Sequence, residues 1–77
     1  MEIKVKDLVL NYIQKGSKYK IIHYDKNNGF TVYKCEIGAI DSTSIFMLVF
    51  EMNGEEVDDA RWMHWREIDA IEKIQTK

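Results

Sequence analysis

An acidic stretch followed directly by an aromatic one is the most distinctive feature of this 77-residue sequence. Five acids lie between positions 51 and 59, and residues 61–66 read Arg-Trp-Met-His-Trp-Arg. Aromatic, Met and Arg side chains are enriched at the centres of protein interfaces. The stretch therefore predicts a contact surface for a protein partner. Its candidate residues are Glu55, Glu56, Asp58, Asp59, Arg61, Trp62 and Trp65.

This prediction has structural alternatives. Clustered acids often form only a solvated edge, and in a chain this small the tryptophans can supply the core itself. If the segment is a strand followed by a helix, we expect one tryptophan in the core and the other at the contact surface. The acids also lack the alternating ligands and central glycine of a calcium loop, so we predict no metal site.

The N-terminal half offers a second kind of surface, because lysines are interleaved there with aromatic residues. Cations that hold phosphates and rings that stack on bases are the ingredients of a single-stranded nucleic-acid site. Its candidate residues are Lys18, Tyr19, Lys20, Tyr24 and Tyr33. A net charge of −2 gives little long-range attraction to a polyanion, so nucleic-acid binding is the alternative to protein binding.

No pattern typical of an enzyme or of a cofactor site is found. The glycines are far apart and none opens a lysine-bearing helix, which excludes a phosphate-binding loop of that kind. His23 and His64 are distant in sequence, and Cys35 is the single cysteine, so short-spaced zinc ligands are missing. Cys35 lies in an apolar strand, which favours an inert buried thiol. We expect a non-enzymatic protein without cofactors.

Length and composition predict one domain over residues 1–77, which buries only about 60% of its unfolded surface. Such a chain has reason to self-associate, so a homo-oligomer is one expected state. No apolar run reaches the roughly 18 residues of a membrane helix, and a lone cysteine fits a reducing compartment. We therefore expect a cytoplasmic protein that does not bind membranes.

Hydrophobic periodicity predicts the elements that must position these residues. Apolar residues at positions 5, 8, 9, 12 and 13 form a helical stripe, which predicts a helix over about residues 6–15 with Gly16 in the left-handed position after it. Segments 19–24 and 30–37 read as strands of a hairpin whose turn lies between them. Residues 44–52 form the most apolar strand candidate.

The last third of the chain allows two structures. Asn53-Gly54 is a hairpin signal, which predicts that residues 56–63 pair back as a fourth strand and that a short helix follows from about His64. Alternatively, Asn53 caps one helix that reaches about residue 73, with the acids in its first turn. We prefer the hairpin, because residues 62, 63 and 65 cannot share one helical stripe with the other apolar positions.

In the preferred structure the C-terminal helix turns one side inward, and one tryptophan covers the N-terminal helix. The inward residues are Trp65, Ile68, Ile71 and either Glu72 or Ile74. Trp62 or Trp65 is then expected to pack against an apolar stripe, because burying one large aromatic side chain contributes about 1.5–3 kcal/mol. The stripe consists of Leu8, Val9 and Tyr12.

The order of these features resembles small SH3-like barrels, over most of residues 16–74. The resemblance is carried by Gly-Ser-Lys-Tyr-Lys-Ile at 16–21, the hairpin, the long apolar strand, the Asn-Gly turn and Trp-x-x-Trp-x-x-Ile-x-x-Ile at 62–71. Such barrels occur among short proteins of Gram-positive phages and prophages. The resemblance implies a binding module, and a regulator or inhibitor of a host protein is the expected role.

The expected fold class is therefore α+β. It consists of a small antiparallel sheet or SH3-like barrel of about four or five strands, with a short N-terminal helix and a short C-terminal helix.

Overall fold

A computed structural model describes residues 10–74, and an antiparallel sheet of five strands dominates them. The strands are β1 (Lys18–Asp25), β2 (Gly29–Ile40), β3 (Ser44–Met52), β4 (Glu55–His64) and β5 (Ala70–Lys73). Their order in the sheet is β4-β3-β2-β1-β5, so β4 and β5 are the edges. The predicted small antiparallel sheet is confirmed.

The β3–β4 turn has the backbone that its sequence predicts. Asn53 and Gly54 both adopt positive φ, 51° and 87°, as a type I′ turn requires. Asn53 also docks the turn on β2, because its N–H donates to the carbonyl of Val32 at 2.9 Å and its Oδ1 accepts from the Val32 N–H at 2.8 Å. The acids after the turn therefore begin a strand, and the single-helix alternative is wrong.

The predicted N-terminal helix lies largely outside the described residues. Residues 10–12 are helical, and the chain leaves the helix before Ile13, earlier than predicted. The Gln14 N–H is instead bound by the hydroxyl of Tyr19 at 2.7 Å. Gly16 takes the predicted left-handed conformation, with φ at 86°, and its N–H donates to Ile37 of β2 at 2.8 Å.

The predicted C-terminal helix is wrong. A 3-10 helix of three residues, Trp65–Glu67, is followed by β5, which pairs antiparallel with β1 and places Ile71 opposite Ile21. Asp69 holds the chain against β1 just before β5 begins. Its N–H donates to the carbonyl of Ile22 at 2.9 Å, and its carboxylate accepts from the Tyr24 N–H at 2.6 Å. Pairing with β1 gives both strands backbone partners that an isolated short helix would not supply. Glu72 is exposed as a result.

The core lies on one face of the sheet and uses alternate residues of the strands. Within residues 10–74 its buried members are Ile13, Tyr19, Ile21, Tyr33, Cys35, Ile37, Ile45, Met47, Val49 and Met63. Neither tryptophan belongs to it, since Met63 is the buried residue of their segment. The expected packing of a tryptophan on Leu8 and Val9 lies outside the described residues, and the ring of Tyr12 packs on Tyr19.

All five strands join one sheet. Both chain ends lie outside the described residues, so the single domain over residues 1–77 stays a prediction. Within residues 10–74, no helix is long and apolar enough to cross a bilayer.

Candidate functional site

A group of large apolar side chains lies on the outer face of the sheet, opposite the core. Along β3 the residues at 45, 47 and 49 are buried, so the alternate residues point outward. The group consists of Phe46, Leu48 and Phe50 of β3 and Trp62 of β4, and we call it the outer patch. The last three are 42%, 41% and 53% exposed, and the rings of Phe46 and Trp62 are 5.2 Å apart.

Gly38 of β2 forms part of the floor under the outer patch. A β-bulge interrupts the β2–β3 register at this residue. A Cβ atom there would lie 3.3 Å from Cδ2 of Phe46 and 3.6 Å from Cδ1 of Leu48. The missing side chain therefore lets the side chains of Phe46 and Leu48 lie close to β2.

Charged residues border the outer patch. An open depression of about 480 Å³ beside Leu48 and Phe50 is also lined by Glu36 and Asp58. Glu36 lies directly opposite Leu48 in the β2–β3 register. On the β1 side, the ammonium group of Lys18 lies 5.7 Å from the centre of the Phe50 ring. The surface therefore combines exposed apolar groups with a mainly acidic border next to β4.

Asp59 and Arg61 are paired on the core side of β4, where they lie opposite the buried residues Val49 and Met47. The guanidinium group of Arg61 donates to Oδ2 of Asp59 at 2.6 and 3.0 Å and to the hydroxyl of Tyr33 at 3.2 Å. The hydrogen bonds from Arg61 hold the pKa of the Asp59 carboxyl below its usual value, and the same contact raises the pKa of Arg61. This pair caps the edge of the core.

The predicted partner-binding residues are thus divided between two faces. Asp58 and Trp62 share the outer face, whereas Asp59 and Arg61 lie on the other. Glu55 and Glu56 are exposed at the start of β4. Trp65 is half-buried in the 3-10 helix, with the guanidinium group of Arg66 5.5 Å from its ring centre.

Sequence reasoning missed the three β3 members of the outer patch and the nearby Glu36. The sequence does contain a signal for them. Residues of β3 are apolar at successive positions, whereas a strand with one buried face needs apolar residues only at alternate positions.

The structure does not bring all five residues of the nucleic-acid alternative together on one surface. Tyr19 and Tyr33 are core residues, with 0% and 6% of their surface exposed, so their rings cannot stack on bases. Tyr24 is exposed and packs on Phe30, with ring centres 4.9 Å apart. Lys18 and Lys20 lie on β1, on the face opposite the core.

Acids accompany the lysines in this region. Lys34 lies opposite Lys20 in the β1–β2 register and forms an ion pair with Glu51, 3.2 Å between Nζ and Oε2. Glu72 lies opposite Lys20 on the other side of β1. The region therefore has little unopposed positive charge.

Metal binding and thiol reactivity are two further kinds of chemistry that titratable side chains can supply. Among residues 10–74, no group of three or more His, Cys, Asp and Glu side chains could hold a metal ion. Cys35 is fully buried, and its thiol lies 3.7 Å from the carbonyl oxygen of Tyr19. Burial raises the pKa of the Cys35 thiol from 9.0 to about 12. Its reactivity as a thiolate is therefore suppressed.

We expect the native protein to resist labelling by a thiol reagent at mildly alkaline pH and to react once it is unfolded. The rate of labelling at increasing denaturant concentrations measures this. Fast labelling without denaturant would contradict the buried position of Cys35.

The same burial predicts a dependence of stability on pH. The native thiol holds its proton more tightly than the unfolded thiol, whose pKa is 9.0. The stabilising contribution is therefore complete below that pH and is lost as the pH rises towards about 12. A Cys35→Ala control should show a smaller loss of unfolding free energy over this interval.

No protein-family model matches the chain, and comparisons with curated proteins and with solved structures likewise gave no match.

Proposed function

We propose that this protein is a non-enzymatic protein-interaction module that contacts its partner through the outer patch and the adjoining acids. The observation that carries the proposal is the exposure of Leu48, Phe50 and Trp62 side by side on one face. Exposed apolar groups that are contiguous and bordered by polar residues are typical of interaction sites. A tryptophan at the centre of such a site is a common source of binding energy.

The charges beside the patch define the chemistry of the partner. Glu36, Glu56 and Asp58 are acids on the outer face or its edge strand, and each is at least partly exposed. A protein segment with an apolar side chain flanked by Lys or Arg would complement them. Such complementary charges mainly raise the association rate, and their effect falls as salt increases.

The order of the elements supports a more specific version of the proposal. A hairpin, a long apolar strand, an Asn-Gly turn and a closing segment follow one another as in the SH3-like barrels that the sequence resembles. We therefore propose a barrel of that kind and a role as a phage-type regulator or inhibitor of a host protein. Action in the cytoplasm belongs to the same proposal.

Substitution of Trp62 tests the proposal. A partner is first captured from host lysate, identified by mass spectrometry and purified, and its dissociation constant is then measured by titration. Trp62→Ala is expected to weaken binding by about 30-fold, because loss of a central aromatic contact costs about 2 kcal/mol. Asp58→Lys should weaken binding most strongly at low salt.

Phe30→Ala is the matched control, because Phe30 is 67% exposed but lies at the other hairpin, outside the patch. This variant should bind like the original protein. Equal binding by Trp62→Ala and the original protein would remove the outer patch as the contact surface.

The same proteins can be titrated with labelled single-stranded DNA and RNA at two salt concentrations. Binding that falls with salt and is lost in Lys18→Glu and Lys20→Glu would favour the nucleic-acid function instead. The burial of Tyr19 and Tyr33 is the reason that we place this function second.

A further inference from the structure

Among residues 10–74, no strand pairs with the outer edge of β4, so this edge presents unpaired backbone groups. β4 contains ten residues and is the terminal strand of the sheet. The N–H of Ala60 donates to Oδ1 of the preceding residue, Asp59, at 2.9 Å. In an antiparallel strand the backbone groups of alternate residues point to opposite sides. The groups of residues 60 and 62 therefore face the open edge, and the β3–β4 register shifts beyond Asp59.

The sequence of β4 is complementary to itself about Ala60. If two copies of the strand run antiparallel with Ala60 opposite Ala60, Asp59 lies opposite Arg61 and Glu56 lies opposite His64. Val57 then lies opposite Met63, and Asp58 lies opposite Trp62. Acid-base pairs thus occur one and four residues from the centre, and an apolar pair occurs three residues from it.

We propose that the protein forms a symmetric homodimer in which β4 pairs with β4 of a second copy about a two-fold axis at Ala60. This dimer uses the edge of β4 and is independent of the proposed function. Cross-strand pairs of opposite charge stabilise a sheet, whereas like charges directly opposite each other destabilise it. Long exposed edge strands are also natural sites of pairing between chains.

The charges of β4 specify the register. With the axis at Asp59, the two Asp59 carboxylates would face each other, and with the axis at Arg61, the two guanidinium groups would do so. The axis at Ala60 instead gives each Asp59 a second arginine, so that the existing ion pair becomes a network of four groups. The Ala60 N–H exchanges its bond with Asp59 for one with the carbonyl of the second copy.

The small side chain at the axis leaves room for Trp62. In this register Trp62 lies diagonally next to Ala60 of the second copy, within reach of an aromatic side chain on the same face. Ala60 shares the outer face with Leu48 and Trp62. The dimer therefore covers part of the exposed surface of Trp62 and joins the two outer patches.

Disulfide formation tests the register. The Cα atoms of a hydrogen-bonded antiparallel pair are about 5.5 Å apart, within the range of about 4.4–6.8 Å that disulfides span. Ala60→Cys is therefore expected to form a covalent dimer under mild oxidation. In Asp58→Cys, the matched control, the two cysteines would be four residues apart along the strands, about 14 Å, and should not react.

The protein without either substitution should stay uncrosslinked, because Cys35 is buried. Circular dichroism establishes that both variants are folded. A monomeric Ala60→Cys protein, or crosslinking of Asp58→Cys with equal yield, would overturn the proposed dimer.

Sedimentation of the unoxidised protein gives an independent test. We expect dimers whose fraction rises with concentration and is strongly reduced in Ala60→Pro, since proline removes an N–H that faces the edge and is tolerated on edge strands. Arg61→Asp should reduce dimerisation, and the charge exchange Asp59→Arg with Arg61→Asp should restore it. A protein that is monomeric throughout would refute the dimer. Partner binding by a monomeric Ala60→Pro variant would leave the proposed function intact.

Discussion

Replacement of Tyr19 by alanine is expected to lower the free energy of unfolding by about 3–5 kcal/mol, the usual cost of truncating a large buried aromatic residue. Tyr19 is fully buried, and its hydroxyl accepts from the Gln14 N–H at 2.7 Å and lies 3.3 Å from the carbonyl of Tyr12. A domain of this size has a total stability of about 4–12 kcal/mol. The variant should therefore be close to unfolded, as urea denaturation would measure.

Two controls separate the parts of this effect. Tyr19→Phe keeps the ring and loses the hydroxyl contacts, so it should cost about 0.5–1.5 kcal/mol. Tyr24→Ala removes an exposed tyrosine on the same strand and should change stability by about 0.5 kcal/mol or less. A Tyr19→Ala protein as stable as Tyr24→Ala would contradict the core position of Tyr19 and make the nucleic-acid alternative stronger.

Met63→Ala should destabilise the protein more than Trp62→Ala, although tryptophan is the larger residue. Met63 is 2% exposed and lies opposite the buried Ile45, so its truncation should cost about 2–5 kcal/mol. Trp62 is 53% exposed and packs on Phe46 at the surface, so its truncation should cost about 1 kcal/mol. Thermal and urea unfolding of the two variants measure the difference.

Met63→Leu is the matched control, because it preserves most of the buried volume and should cost less than about 1.5 kcal/mol. The reverse order, with Trp62→Ala the more damaging change, would mean that β4 turns its other face to the core. The outer patch would then lose its tryptophan, and the proposed contact surface would fail with it.

Part of the candidate site could be predicted from local sequence. The aromatic segment and its acids were recognised by composition, and Asp58 and Trp62 do lie on one face. Phe46, Leu48 and Phe50 were not recognised, because β3 is apolar on both of its faces. Alternation assigns residues to two faces without deciding which face meets the core. Which face of β3 meets the core depends on the residues that the neighbouring strands β2 and β4 place on each face.

The same limit explains the errors with the tyrosines and the C-terminal segment. Tyr19, Tyr24 and Tyr33 are chemically identical in the sequence, and only their strand register buries the first and third. Trp62, Trp65, Ile68 and Ile71 recur at intervals of three, which is compatible with a helix. The segment instead pairs with an open edge of β1, about fifty residues earlier in the chain, and no local periodicity contains that contact.

The sequence by itself determined the turns and the strands next to them. Asn53, Gly54, Gly16 and Gly29 adopt left-handed backbone that few other residues tolerate, so local sterics define where the chain reverses. Tertiary structure alone decided which face of each strand is buried, that β5 replaces a helix and that the outer patch is assembled from β3 and β4. These features depend on contacts between residues far apart in the chain, whose energies appear only when the sheet has formed.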